Sequence, residues 1–177
     1  RVGDNRRMPA ALPDGERDPL DGALPPHALT ELGRQPFGIY VHVPFCTTRC
    51  GYCDFNTYTA TELGPGVSRE SYPQTVINEL RLARRVLGAA VPPVSTVFFG
   101  GGTPTLLLAG DLVAVLRAID AEFGLAPDAE VTTEANPESV DPGYLDRLRA
   151  GGFTRLSFGM QSAAPHVLAT LDRVHSP

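Results

Sequence analysis

The chain is 177 residues long, 42% hydrophobic, and carries 15 basic against 20 acidic side chains for a net charge of −5. That length is enough for one domain with a real core. The acidic balance argues against a nucleic-acid partner, which needs clustered cations, and no apolar run reaches the length of a membrane span.

Residues 1–36 hold six prolines, four glycines and eleven charges, with no Phe, Tyr or Trp. Such a segment buries too little apolar surface to offset its ordering entropy. It reads as a disordered leader, with Met8 as a candidate authentic start and nothing resembling a secretory signal.

Phe37–Val43 alternates apolar residues with Gly, Tyr and His and reads as a first strand. The loop after it holds Cys46, Cys50 and Cys53, the only cysteines of the chain. Three thiolates this close can converge on one metal centre. An odd count leaves a thiol over in any disulfide scheme. With nothing resembling a secretory signal, a reducing, cytoplasmic compartment is expected, where stable disulfides are disfavoured. Structural zinc takes four ligands, and His27, His42, His166 and His175 form no pair at matching spacing. A redox dithiol of Cys50 and Cys53 leaves Cys46 idle. An iron–sulfur site fits count and spacing better, and three cysteines leave one coordination position of a four-iron cluster open.

Ser71-Tyr-Pro-Gln74 matches a capping box with proline in the first helical turn. Val76, Leu80, Ala83 and Leu87 then recur at helical spacing, and Gly88 with Pro92 and Pro93 ends that helix. Residues 95–99 read as a short buried strand running into Gly100-Gly-Gly-Thr-Pro-Thr105. The glycines let backbone groups approach a ligand closely; the alternative is a tight strand-to-helix turn. Leu112, Val115, Leu116, Ile119 and Phe123 form the next helical stripe. Residues 129–134 read as a third strand. Its last residue, Glu134, is placed either to accept hydrogen bonds from ribose hydroxyls, as acidic residues do at other nucleotide sites, or to face solvent. Asp141 and Pro142 cap and open a helix carrying Leu145 and Leu148, closed by Gly151 and Gly152. Residues 153–158 make a fourth strand, and a fourth helix starts near Ala163.

Repeated strand–helix units imply an α/β fold, a parallel sheet or barrel with helices outside. Cys46, residues 100–103, Glu134 and Gln161 all follow strands, and ligands bind at the carboxyl ends of parallel strands. By physics alone Gln161 reads as a surface residue, and Arg173 as a surface residue or a helix-end cation.

Cys-x-x-x-Cys-x-aromatic-Cys, with Tyr52 as the aromatic, resembles the cluster loop of the radical S-adenosylmethionine (radical SAM) superfamily. The resemblance implies a four-iron four-sulfur (4Fe-4S) cluster with three irons on Cys46, Cys50 and Cys53. The fourth iron is then chelated by the amino and carboxylate groups of S-adenosylmethionine. An electron from the cluster splits the sulfonium and yields a 5′-deoxyadenosyl radical, chemistry that the cofactor carries while the protein orients it. The resemblance implies a partial (β/α) barrel of six units. This chain supplies about four, so residues 37–177 are expected to be the N-terminal part of a radical SAM core domain in a longer protein. The implied cofactor contacts are Gly101, Gly102 and Thr103 around the methionine part, and Glu134, Gln161, Arg173, Tyr40 and Tyr52. For Tyr40 a strand aromatic packed in the core is the alternative. His42 has no assigned role beyond packing or loop anchoring.

Tyr-x-His-x-Pro-Phe-Cys, Gly-Gly-Gly-Thr-Pro-Thr and Thr-Glu-Ala-Asn-Pro together are similar to one branch of that superfamily. It contains oxygen-independent coproporphyrinogen III oxidase and the heme chaperone related to it. The oxidases carry a further cysteine two residues after the third ligand; here that position is Phe55. With Cys-Asp-Phe-Asn56 and the ending Arg173-Val-His175, this points to the chaperone group. The resemblance then implies binding of heme or porphyrin, delivery of heme to acceptor hemoproteins, and an electron donor for the cluster. The alternative is oxidase activity in porphyrin biosynthesis, oxidative decarboxylation of a propionate to a vinyl group. The branch's heme motif contains tryptophan, which this chain lacks. Four units leave an unpaired sheet edge, so exposed apolar surface near residues 153–158 and a tendency to associate are expected.

Overall fold

The computed structural model describes residues 19–30, 32–59, 68–173 and 175–176. Most of the segment read as a leader, residues 1–18, lies outside the described residues; one short helix, α1 (Pro26–Thr30), falls within its remainder. Four strands follow: β1 (Phe37–Val43), β2 (Val94–Gly101), β3 (Leu125–Ala135) and β4 (Arg155–Phe158). They form one parallel sheet in the order β1-β2-β3-β4. The crossovers are α2 (Tyr72–Leu87), α3 (Ala109–Phe123) and α4 (Pro142–Ala150), and α5 (Pro165–Thr170) follows β4. Each new strand is added on the same side of the last. Right-handed crossovers then place every helix on one face, the arrangement of a (β/α) barrel that has not closed.

The alternation of β1 decides what that face buries. Val41 and Val43 are sealed under the helices, while Tyr40, the residue before Val41, is 56% exposed. Val97 and Phe99 of β2 and Val131 of β3 continue the buried row. The stripe expected on α3 meets it: Leu112, Val115, Leu116, Ile119 and Phe123 are all buried, and α3 packs between α2 and α4. Leu80 of α2 and Leu148 of α4 complete this core. Among the described residues, no helix is long and apolar enough to cross a membrane.

Three local expectations differ from the structure. Ser71 precedes α2, but its side chain makes no capping bond; its hydroxyl bonds Ser68 instead. The third strand starts earlier than its composition indicates, at Leu125. The partner of Val94 is Leu125 and that of Thr96 is Glu130, so residues 126–129 bulge out of the ladder. A bulge accommodates Pro127, which has no N–H to contribute. The fourth strand is shorter, because the Thr154 hydroxyl accepts the Val131 N–H at 2.8 Å in place of a ladder carbonyl.

The apolar surface expected near residues 153–158 is present only in part. Phe153 is buried, its ring 5.2 Å from that of Phe99. Phe158, at the strand's end, is 46% exposed. β4 pairs with β3 on one side only.

Candidate metal and cofactor site

All four strands run the same way, so the segments after Val43, Gly101, Ala135 and Phe158 gather at one end of the sheet. The cysteine loop is held there at both roots. Cys46 N–H donates to the Tyr58 carbonyl at 3.0 Å, and Tyr58 N–H returns to Pro44 at 2.8 Å. Phe45 is buried edge-on against Tyr72, and the Tyr72 hydroxyl donates to the His42 carbonyl at 2.5 Å. His42 Nε2 lies 2.8 Å from the Asn56 carbonyl, which can only accept, so Nε2 carries the proton. Nδ1 then accepts from the Tyr40 hydroxyl at 2.9 Å. His42 is thus a loop anchor with a defined tautomer.

The three cysteines are free thiols, each partly buried. Burial pushes the Cys46 thiol above its ordinary range; the Thr57 and Thr103 hydroxyls pull it down, and Cys53 and Cys50 add to the rise. Cys53 Sγ lies 3.8 Å from Thr57 Oγ1. Cys50 Sγ accepts from Arg173 Nη1 at 3.3 Å.

The glycine run after β2 packs against the root of this loop. Gly102 N–H donates to Val43 at 2.8 Å and Thr103 N–H to Phe45 at 2.7 Å. Gly101, at φ +109°, donates to Glu134 Oε2 at 3.1 Å. A Cβ on Gly102 would lie 2.4 Å from the Phe45 carbonyl oxygen. Glycine is therefore required by the approach of one backbone to another. The N–H groups of Gly101, Gly102 and Thr103 are thus engaged within the protein. Together with the Glu134 carboxylate, the loop lines the cavity.

Across from this wall stands Arg173. Its Nη2 donates to Asn136 Oδ1 at 2.7 Å and also to the Gly159 carbonyl. Asn136 Nδ2 donates in turn to Thr103 Oγ1 at 3.0 Å. Gln161 sits in the left-handed region at φ 61°, a strained place for a non-glycine residue.

These groups enclose one cavity of about 260 Å³. Cys46, Cys50, Cys53, Tyr52, Gly101, Gly102, Thr103, Glu134, Gln161 and Arg173 all line it. Of the residues expected here, only Tyr40 lies off the wall. Its ring stacks on Phe98 at 6.1 Å, and burial with the nearby Glu134 carboxylate raises its hydroxyl pKa. Asn136, Ser157 and Gly159 line the cavity without having been foreseen. Asn136 stood in the Glu-Ala-Asn-Pro run, but no spacing rule marks its amide.

The donor set fits an iron–sulfur cluster. Three free thiols border one cavity beside a guanidinium, a polar environment for a thiolate-held group. Among the described residues, no three His, Cys, Asp or Glu side chains converge on a single ion. A lone zinc would need sulfurs about 2.3 Å from one point.

The radical SAM superfamily model matches residues 40–177. The chain belongs to that superfamily, which implies a 4Fe-4S cluster and S-adenosylmethionine. The heme chaperone HemW of Mycobacterium tuberculosis H37Rv is 58% identical over 149 residues, 84% of this chain and 37% of that protein. HemW of Escherichia coli K12 is 37% identical over 142 residues, 80% of this chain and 36% of that protein. The mouse protein radical S-adenosyl methionine domain-containing protein 1, mitochondrial, is 38% identical over 170 residues, 96% of this chain and 37% of that protein. Among solved structures, coproporphyrinogen III oxidase (HemN) from Escherichia coli, a radical SAM enzyme, matches with a TM-score of 0.71 and 29% identity. The match covers 84% of this chain and 34% of that one. The chain thus spans little more than a third of the length of these relatives.

Proposed function

We propose that this chain is the cofactor-binding part of a heme chaperone, with residues 37–177 forming the N-terminal portion of its radical SAM core. The observation that carries this reading is the 58% identity to a heme chaperone over 149 residues. In this reading Cys46, Cys50 and Cys53 hold the 4Fe-4S cluster. Gly101, Gly102, Thr103, Glu134, Gln161 and Arg173 hold S-adenosylmethionine beside it, with Tyr52 at the cavity mouth. When bound, the pair supplies one-electron chemistry to the site.

The remaining chemistry belongs to the residues. Arg173 offers a cation beside the sulfur of Cys50. Glu134 keeps one oxygen on Gly101 and turns the other to a hydroxyl-bearing ligand. Phe45 and Tyr72 close the loop root against water. Heme is the cargo, passed to acceptor hemoproteins in the cytoplasm, and a separate donor supplies the cluster's electron.

A second reading is oxygen-independent coproporphyrinogen III oxidase, favoured by the fold likeness to HemN at 29% identity. Phe55 distinguishes the two. It lines the cavity at 60% exposure, where the oxidases carry a further cysteine. The test is anaerobic reconstitution of the full-length protein, followed by heme titration and a coproporphyrinogen III decarboxylation assay on the same preparation. Stoichiometric heme binding without vinyl product is expected. Sustained product formation would reverse the ranking. Titration with S-adenosylmethionine is expected to perturb the cluster's electron paramagnetic resonance; an unchanged spectrum at saturation removes the cofactor assignment.

A further inference from the structure

Asn136 follows β3 and holds none of the cofactor contacts assigned above, yet one side-chain amide there joins three loops. Nδ2 donates to Thr103 Oγ1 at 3.0 Å, on the loop after β2. Oδ1 accepts from Arg173 Nη2 at 2.7 Å, beyond α5. A guanidinium only donates, so the arginine itself settles which end of the amide faces it. Through Nη1 the same guanidinium reaches Cys50 Sγ at 3.3 Å, on the loop after β1.

Asn136 is itself held. Its N–H donates to Ser139 Oγ at 3.0 Å, and Ser139 Oγ lies 2.6 Å from Thr105 Oγ1. The backbone beside it also packs closely against this pair. A Cβ on Gly159 would lie 3.0 Å from Asn136 Oδ1 and 3.3 Å from Arg173 Nη2. A carboxamide is suited to this place because it offers a donor to a hydroxyl and an acceptor to a cation at once. Aspartate lacks the donor, and leucine lacks both.

We propose that Asn136 is a positioning residue. It sets Thr103 and Arg173 relative to one another, so that both meet S-adenosylmethionine from different loops, and ties that pair to the Cys50 side of the cluster loop. This rests on the reading of Thr103 and Arg173 as cofactor contacts.

The test uses the full-length protein, reconstituted anaerobically. Cofactor affinity is read from the perturbation of the cluster's electron paramagnetic resonance, with iron content and thermal melting measured alongside. Arg173→Met reports on the underlying reading. It is expected to weaken affinity; no change would take Arg173 out of the cofactor site and overturn the proposal with it. Asn136→Leu is expected to weaken cofactor binding about tenfold, as removal of a ligand-orienting partner does, with iron content retained. Asn136→Asp keeps the acceptor for Arg173 and is expected to fall between. Combined with Arg173→Met, Asn136→Leu is expected to cost less than the product of the two single effects, because the two act as a unit. Three outcomes overturn the proposal: undiminished affinity in Asn136→Leu while Arg173→Met weakens it, a full multiplicative loss in the double variant, or loss of both iron and a cooperative melt in the two Asn136 variants, which would make Asn136 a structural element only.

Discussion

Val41, Val43, Val97, Phe99 and Val131 come from the same three strands as Tyr40, His42, Phe98, Gly100 and Glu134. Successive side chains of a strand point to opposite faces. The first set is sealed beneath α2, α3 and α4. The second set carries a stacked aromatic pair, a histidine of fixed tautomer, a carboxylate bound to a backbone N–H, and the glycine that gives this carboxylate room. The two faces differ in what a substitution must do. On the helix side the cost of change is a cavity in a packed interior. On the open side it is a broken contact between loops that each carry part of the site. Stability and function are thus divided between alternate residues, and a one-residue slip of register would exchange them.

Four substitutions test that division, from the largest effect to the smallest. Cys50→Ala should abolish the iron–sulfur absorption of the reconstituted protein and leave the melt of the unloaded protein nearly unchanged. Full iron and sulfide content in that variant would sink the cluster assignment. Phe99→Ala, on the sealed face, should lower unfolding free energy by about 3–5 kcal/mol, measured by denaturant titration of unloaded protein. A loss below 1 kcal/mol would mean that Phe99 and Phe153 do not form one core. Gly102→Ala forces a methyl onto the Phe45 carbonyl and should cost about 1–3 kcal/mol, together with weaker cofactor binding. If only stability fell, the glycine run would be a turn and not part of the site. Tyr72→Phe removes the donor to the His42 carbonyl and should cost about 1 kcal/mol. Its cofactor affinity should stay within twofold of wild type; a larger change would place the loop root inside the binding machinery.

The cluster loop was legible because its signal is local. Cys46, Cys50 and Cys53 lie within eight residues, and no fold is needed to bring them together. The stripe from Leu112 to Phe123 was legible because helical spacing is a property of one element. Glu134 was placed correctly at a strand end by position alone. Arg173 was different. Only the family likeness marked it as a site residue, and its contact with Cys50, across 123 residues, was not foreseen. For Tyr40 the spacing from Cys46 carries the family likeness alone; its ring stacks on Phe98, and it is not among the residues that line the cavity.

By itself the sequence determined the strand–helix alternation, the apolar rows that seal one face of the sheet, and the three thiols after β1, all of which depend on periodicity or on short chain separation. Only the tertiary structure decided that the N–H groups of Gly101, Gly102 and Thr103 are engaged by Glu134, Val43 and Phe45. It alone decided that Thr154 would take the place of a ladder carbonyl, and that the Asn136 amide would lie between Thr103 and Arg173. Those choices depend on how closely separate loops approach one another. Approach is set by sheet register and helix packing across the whole domain, and no window of sequence contains it.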